Sequence, residues 1–417
     1  MIKNIEVHVN GKGINIESGR VAREASGAVI ITMGETVVLV TAVSTDEPRI
    51  GVDFLPLTVD FQEMSYSAGK IPGNFFRRDM GRPSEKETLT SRLIDRPLRP
   101  LFPDGYNFET QIISSVLSFD KENDPAPLGI FGASAAITIS DIPFGGPVGS
   151  VQVGRVDGKL IAFPSPEEQE QGDLNLIVAG TRSDVVMVEG EAKFATEGDM
   201  LEAIYFGHQA LQPTIDMQIE LRNAVGKEKR TFIPSSKNEQ FLAKVRELGE
   251  PLIKEALSCS DKIARQSKVS KAVDSIMESL KEEGEDRGAE IGDAVYGLEK
   301  ELVRDLALRA GKRIDGRSFT EVRPIECLVG ILPRVHGSAL FTRGETQAMV
   351  LTTLGTESDE QKIESIYGDT YRSFTFHYNF PPFSVGEAKR LGAPGRAVGH
   401  VQARCHPRSP GSRRSLP

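Results

Sequence analysis

Two stretches far apart in this 417-residue chain are versions of one another, and no other feature constrains the fold as much. "SGAVIITMGETVVLVTAV" (26–43) matches "HGSALFTRGETQAMVLTTL" (336–354), with Gly34-Glu35-Thr36 over Gly344-Glu345-Thr346, an offset of 344 − 34 = 310. Each is an alternating run on either side of a glycine turn, the pattern of a β-hairpin. A period this long is not that of a solenoid and implies a duplicated domain. The competing reading is two convergent hairpins that share a turn. It is the weaker one, because the apolar pattern agrees along with the residues around the turn.

The rest of the chain divides around this repeat. The opening "MIKNIEVHVNGKGINIESG" alternates about a glycine turn and predicts a hairpin rather than a secretory leader, so the expected location is cytoplasmic. "PSEKETLTSRLIDRPLRPLF" predicts a helix capped by Ser84, with Glu87 completing a capping box and a stop near Pro97. Residues 110–235 alternate strands such as "TQIISSVLSF", "DLNLIVAGT" and "DVVMVEGEA" with the small-residue helix "GIFGASAAITIS". Residues 237–310 are rich in Lys, Glu, Leu and Ala with almost no proline, which predicts two or three helices between two β-containing parts. No run approaches a membrane span. The three cysteines, Cys259, Cys327 and Cys405, are far apart, so neither a disulfide framework nor structural zinc is expected.

The net charge is −9, yet residues 70–100 carry eight Lys/Arg against four acids. A basic patch on an acidic chain points to one bound anion, phosphate or nucleic acid. Within it lies "NFFRRDMGRP" (74–83), bounded by glycine and proline, which predicts a loop. Phe75 and Phe76 in a loop can stack on bases of any sequence, and Arg77, Arg78 and Arg82 can grip phosphates in a bidentate way. The alternative is that the rings belong to the core with solvated arginines beside them. Arg92, Arg96 and Arg99 follow at i, i+4 and i+7. They either face RNA or pair structurally with Asp95 and Glu87. "RIDGR" (313–317) reads as a structural turn with local ion pairs, and His336 as a structural histidine beside a hairpin. His8, His208 and His377 have neither a nucleophile partner nor metal spacing.

The repeat, the helical spacer and the strings "AGKIPGNFFRRDMGRPSEKETLTSRLIDRPLRPLFP", "KRIDGR", "HGSALFTRGETQ" and "FHYNFPPFSVGE" together resemble the polynucleotide phosphorylase family over residues 1–396. The resemblance implies an α+β chain of two RNase-PH-like core domains (βαβα type) separated by an all-helical domain. On that basis 1–145 is the first core domain, 146–235 its second subdomain, 236–310 the helical domain and 311–400 the start of an incomplete second core domain. It implies a homotrimeric ring around a channel for single-stranded RNA, and membership of an RNA-degradation complex. Inorganic phosphate then attacks the terminal 3′ phosphodiester with Mg2+ and releases nucleoside diphosphates, reversibly. Attack of one anion on another needs cationic and hydrogen-bonding neutralisation, which suits the arginines. By resemblance the 74–83 stretch, with Arg92 and Arg96, lines the RNA path.

The same resemblance puts the chemistry in the second copy, at an arginine pair followed by a glycine-histidine pair. Here the string is "GAPGRAVGH": Arg396 and His400 stand at the expected catalytic positions, but Ala397 replaces the second arginine. By the repeat, His400 lies over Thr90 (400 − 90 = 310), so a helix is expected next. Instead 401–417 reads "VQARCHPRSPGSRRSLP", with three prolines and no apolar period. The expectation is an aberrant, perhaps frame-shifted tail; a functional basic RNA tail is the competing reading. The family's serine-rich phosphate loop, metal-holding aspartates and two appended RNA-binding domains do not occur in this sequence. No metal ligands are assigned, and this chain alone is expected not to catalyse phosphorolysis. Two other readings stay open, a non-catalytic RNA-binding ring subunit and a stand-alone RNase-PH-type subunit; the helical domain and the second copy argue against the latter.

Overall fold

The computed structural model describes residues 2–49, 52, 54–71, 83–232, 239–280, 287–388 and 390. The chain forms two compact units, one of residues 1–234 with 356–417 and the other of 235–355.

The first unit opens with four antiparallel strands, β1 (Lys3–Val9), β2 (Lys12–Ser18), β3 (Gly27–Met33) and β4 (Thr36–Pro48). Asn10-Gly11 makes the first turn, both residues at positive φ, as a tight twisted hairpin requires. β5 (Leu57–Glu63) leads towards helix α1 (Glu85–Leu98), and β6 (Phe108–Ser118) then inserts between β4 and β5, antiparallel to the former and parallel to the latter. The sheet order is β1-β2-β3-β4-β6-β5. Alternation puts Val29, Ile31, Met33, Val38, Val40 and Ala42 on one buried face.

Helix α2 (Pro125–Ile139) covers that face, and all fifteen of its residues are buried. Asp124 caps it by accepting from Ala126 N at 2.9 Å, and Pro125 occupies the first turn, where no N–H is needed. Its small residues let the backbone approach the sheet: a Cβ on Gly132 would stand 2.8 Å from Val40 Cγ2. A second sheet, β10-β9-β7-β8, combines β7 (Gly149–Val156), β8 (Lys159–Ala162), β9 (Leu174–Gly180) and β10 (Val185–Ala192), after the short α3 (Pro166–Gln171). Helices α4 (Glu197–Ala210) and α5 (Gln212–Val225) complete this part, in one continuous core with the first sheet.

The repeated turn is held by a single carboxylate. Asp120 accepts from Glu35 N (3.0 Å), Thr36 Oγ1 (2.8 Å), Glu122 N (2.8 Å), Asn123 N (2.9 Å) and Asn123 Nδ2 (2.7 Å). Gly34, at φ 61°, leaves no room for a side chain, because a Cβ would lie 2.6 Å from both Asp120 and Asn123. Burial pushes the Asp120 pKa up, but the donors from Asn123, Thr36 and Glu122 outweigh it and hold the group below the usual aspartate value. A lowered folded pKa contributes stability above the unfolded pKa and loses it as pH falls through the folded one. Asp120→Ala is therefore expected to destabilise the first unit by about 2–3 kcal/mol at pH 7. The gap from the parent should narrow below about pH 4, as read by denaturant unfolding across pH. A gap that widens in acid would contradict this account.

In the second unit three helices, α6 (Glu239–Leu257), α7 (Lys262–Ser279) and α8 (Gly288–Ala310), bury Phe241, Val245, Ile253, Ile276, Val295 and Leu298 against one another. Strands β11 (Ile325–Val329), β12 (Gly337–Arg343) and β13 (Thr346–Thr352) follow as an antiparallel sheet. The second copy of the turn carries Gly344 at φ 59°, matching Gly34. Unlike its first-copy counterpart, this sheet keeps Leu328, Val329, Met349, Val350 and Leu351 exposed. "RIDGR" forms the expected turn: Gly316 has φ 84°, and Asp315 pairs with Arg317 at 2.9 Å. His336 Nδ1 accepts from Leu354 N at 2.8 Å, a structural role.

The chain then returns to the first unit as a hairpin, β14 (Gln361–Ser365) with β15 (Gly368–Arg372). Among the described residues no helix is long and apolar enough to cross a membrane.

Candidate nucleic-acid interface

Helix α1 begins as its sequence predicts. Ser84 Oγ accepts from Glu87 N at 3.1 Å, and Glu87 Oε2 accepts from Ser84 N at 2.6 Å, closing the capping box. Glu87 does more than cap, because its Oε1 also accepts from Glu63 N at 2.8 Å and ties the helix start to the end of β5. Midway, Ser91 Oγ accepts from Phe61 N at 2.9 Å. Thr90, Leu93, Ile94, Pro97 and Leu98 are buried. The predicted stop is displaced by one residue. The helix includes Pro97 and ends at Leu98, because a proline in the last turn forfeits only one intrahelical bond before Arg99–Leu101 tightens into a 3₁₀ turn.

The three arginines of the helix have different surroundings. Arg92 is exposed and has no ion-pair or hydrogen-bond partner among the described residues. Arg96 is half-exposed and pairs with Glu189 on β10, a partner 93 residues away. Arg99 is structural: it forms two bonds to Asp95, at 2.6 and 3.0 Å, and donates to the carbonyls of Leu55 and Leu57, both at 3.0 Å. Only Arg92 thus presents an uncommitted guanidinium on this helix. A phosphate reaching Arg96 has to compete with Glu189.

At the start of α1, Lys86 Nζ lies 3.1 Å from Glu63 Oε1, within ion-pair distance but without hydrogen-bond geometry. It also stands 3.4 Å above the ring of Tyr367. Burial raises the Glu63 pKa, and the attraction of Lys86 only partly opposes it. Sequence reasoning missed this cluster. Glu63, Lys86 and Tyr367 are distant in the chain, and none stands in a recognisable motif. Phe75, Phe76, Arg77, Arg78 and Arg82 lie outside the described residues, as do Arg396 and His400. The structure thus describes both stems of the predicted RNA-contacting segment. Among the described residues no group of three His, Cys, Asp or Glu side chains is arranged to hold a metal. No step is therefore routed through Mg2+.

Comparisons with known proteins agree with this architecture. The model of the 3′ exoribonuclease family, domain 1, matches residues 10–143 and again 321–404. Domain 2 of that family matches 146–210, and the polyribonucleotide nucleotidyltransferase RNA-binding domain matches 240–318. A polyribonucleotide nucleotidyltransferase of Desulfatibacillum aliphaticivorans is 53% identical over 397 residues, covering 95% of this chain and 56% of the relative. Its namesake from Desulfosudis oleivorans is 54% identical over 396 residues, covering 95% and 55%. The chain thus spans about half the length of the curated relatives it matches. A solved structure of rice (Oryza sativa) Rrp46 aligns with a TM-score of 0.40 and 15% identity, covering 53% of this chain and 94% of that one.

Proposed function

The chain belongs to the 3′ exoribonuclease family, and on that premise we propose that it serves RNA degradation. The reaction class is phosphate-dependent 3′→5′ exoribonucleolysis that releases nucleoside diphosphates and runs in reverse as template-independent polymerisation. The division of labour follows the duplication. The first copy grips single-stranded RNA through Phe75, Phe76, Arg77, Arg78 and Arg82, assisted by Arg92 and Arg96. The second copy carries the chemistry at Arg396 and His400. The observation that carries this reading is the match of one exoribonuclease domain to both copies, with a helical RNA-binding domain between them. The uncommitted guanidinium of Arg92, one turn into the exposed side of α1, supports the RNA path.

Inorganic phosphate is the co-substrate, Mg2+ is the expected cofactor, and a cytoplasmic homotrimer within an RNA-degradation complex is the expected setting. When bound, the metal would supply charge neutralisation at the reacting phosphates. The residues of this chain supply base stacking along the strand and cationic pairing of its backbone.

Purified protein incubated with single-stranded RNA, phosphate and magnesium tests the reading. RNA is expected to bind equally well with and without phosphate. With Ala397 in place of the family's second arginine, this chain alone is expected to release no nucleoside diphosphate. Release of nucleoside diphosphates would overturn the expected inactivity and support the reaction class. Phosphate-independent release of monophosphates would overturn the class itself. Binding without any release also fits the second reading, a non-catalytic RNA-binding ring subunit. Restoring activity with Ala397→Arg would exclude that reading.

A further inference from the structure

The β14–β15 hairpin has no counterpart in the first copy. At the repeated turn the two copies run 310 residues apart, Gly34 to Gly344. At the next shared landmark, a 3₁₀ turn closed by a glycine at positive φ, they run 386 − 69 = 317 apart. The sequences there, "YSAG" (66–69) and "FSVG" (383–386), support the pairing. Seven residues have entered the second copy between these landmarks, and the hairpin lies in that interval.

It docks on the two stems of segment 72–82. On the incoming stem, Lys70 Nζ donates to Ser365 O at 3.0 Å. On the outgoing stem, Arg372 Nη1 donates to Glu85 Oε2 at 2.7 Å, and the Lys86 ammonium sits on the Tyr367 ring. The tip of the hairpin anchors both contacts. Ile366 is 3% exposed and joins the main core. The Tyr367 ring meets Phe119 edge-on at 4.6 Å, and its hydroxyl approaches Asp124 Oδ1 at 3.4 Å. Burial, together with the charges of Asp124 and Glu63, keeps that hydroxyl protonated far above neutral pH. Phe119 N in turn donates to Ser67 O at 3.0 Å, so the platform beneath Tyr367 also holds the 3₁₀ turn just before Lys70.

We propose that this hairpin is a staple contributed by the second copy that sets the separation and direction of the two stems of segment 72–82, and so tunes how strongly the first copy grips single-stranded RNA. Tyr367 and Arg372 are positioning residues: they act through Lys70, Glu85 and Lys86 and do not touch the strand. The inference rests on the reading that Phe75 and Phe76 contact RNA. It deepens that reading by giving the chemical half of the duplication a physical hold on the binding half.

A thermodynamic cycle with a fluorescent oligoadenylate tests it. Tyr367→Ala with Arg372→Ala is expected to weaken binding about tenfold in the parent chain. In a Phe75→Ala, Phe76→Ala background the same pair should cost less than about twofold, because the grip being positioned is already gone. Tyr367→Phe, which keeps the ring beneath Lys86, should bind like the parent. Arg372→Ala alone, at a surface position, gives the same comparison should the double variant unfold. Equal losses in both backgrounds would mean that Tyr367 or Arg372 contacts RNA directly and would overturn the proposal. So would undiminished binding in the parent chain. If the Phe75, Phe76 variant itself binds normally, the RNA-contact reading fails instead, and the two failures are distinguishable.

Discussion

Replacing Phe75 and Phe76 together with alanine is expected to weaken binding of single-stranded RNA roughly 30-fold or more. Stacking contributes about 1–3 kcal/mol per base, and two rings remove at least ~2 kcal/mol. The loss should be nearly independent of sequence, since every base offers a face to an aromatic ring. It should also be independent of phosphate, because stacking precedes the chemistry. Replacing Arg77, Arg78 and Arg82 should leave a different signature. Three lost phosphate contacts flatten the dependence of log affinity on log salt by about 2, at ~0.7 per contact for a single strand. Titrations of a labelled oligonucleotide at several salt concentrations separate the two effects. If the rings are core residues, the alanine pair will lower the thermal midpoint and leave affinity and salt slope unchanged in the folded protein. That result would sink the stacking account.

What could be read from the sequence was what depends on neighbours in the chain. The capping box needs only Ser84 and Glu87, three residues apart, and the hairpin turns need only a glycine between alternating strands. Arg99 with Asp95 is an i, i+4 pair, and it was weighed as such before the structure. The duplication was legible because the two hairpins kept the same turn and the same period. Contacts between distant residues left no local trace. Arg96 was weighed against Asp95 and Glu87, yet its partner is Glu189 on another sheet, at a separation no helical rule addresses. The hairpin of 361–372 carries ordinary alternation, and nothing in Tyr367 announces that its ring lies beneath Lys86. Pro97 was given too much weight: it ends a helix by removing an N–H and crowding the preceding turn, and both effects are tolerated when only one residue remains.

Gly27→Ala is expected to destabilise the first unit by about 3 kcal/mol, while Gly337→Ala at the matching position of the other copy should change stability by less than about 0.5 kcal/mol. The two glycines are equivalent by the repeat (337 − 27 = 310) and open equivalent strands. Their surroundings differ. A Cβ on Gly27 would lie 2.0 Å from the carbonyl oxygen of Ala136 and 3.1 Å from Ser140 Cβ, because α2 presses its backbone against the sheet there. Neither a rotamer change nor a flexible side-chain tip can relieve contact with a backbone carbonyl, so the helix itself has to move. A Cβ on Gly337 meets nothing closer than Thr352 Cβ at 3.4 Å, an ordinary contact. The comparison isolates the covering helix, since backbone conformation and strand position are shared. Thermal denaturation of the two single variants, with hydrogen exchange assigning each change to its unit, provides the measurement. Equal losses at both positions would mean that glycine is required by the hairpin itself. A loss confined to Gly27 would mean that α2 makes the first copy intolerant of even one added methyl group.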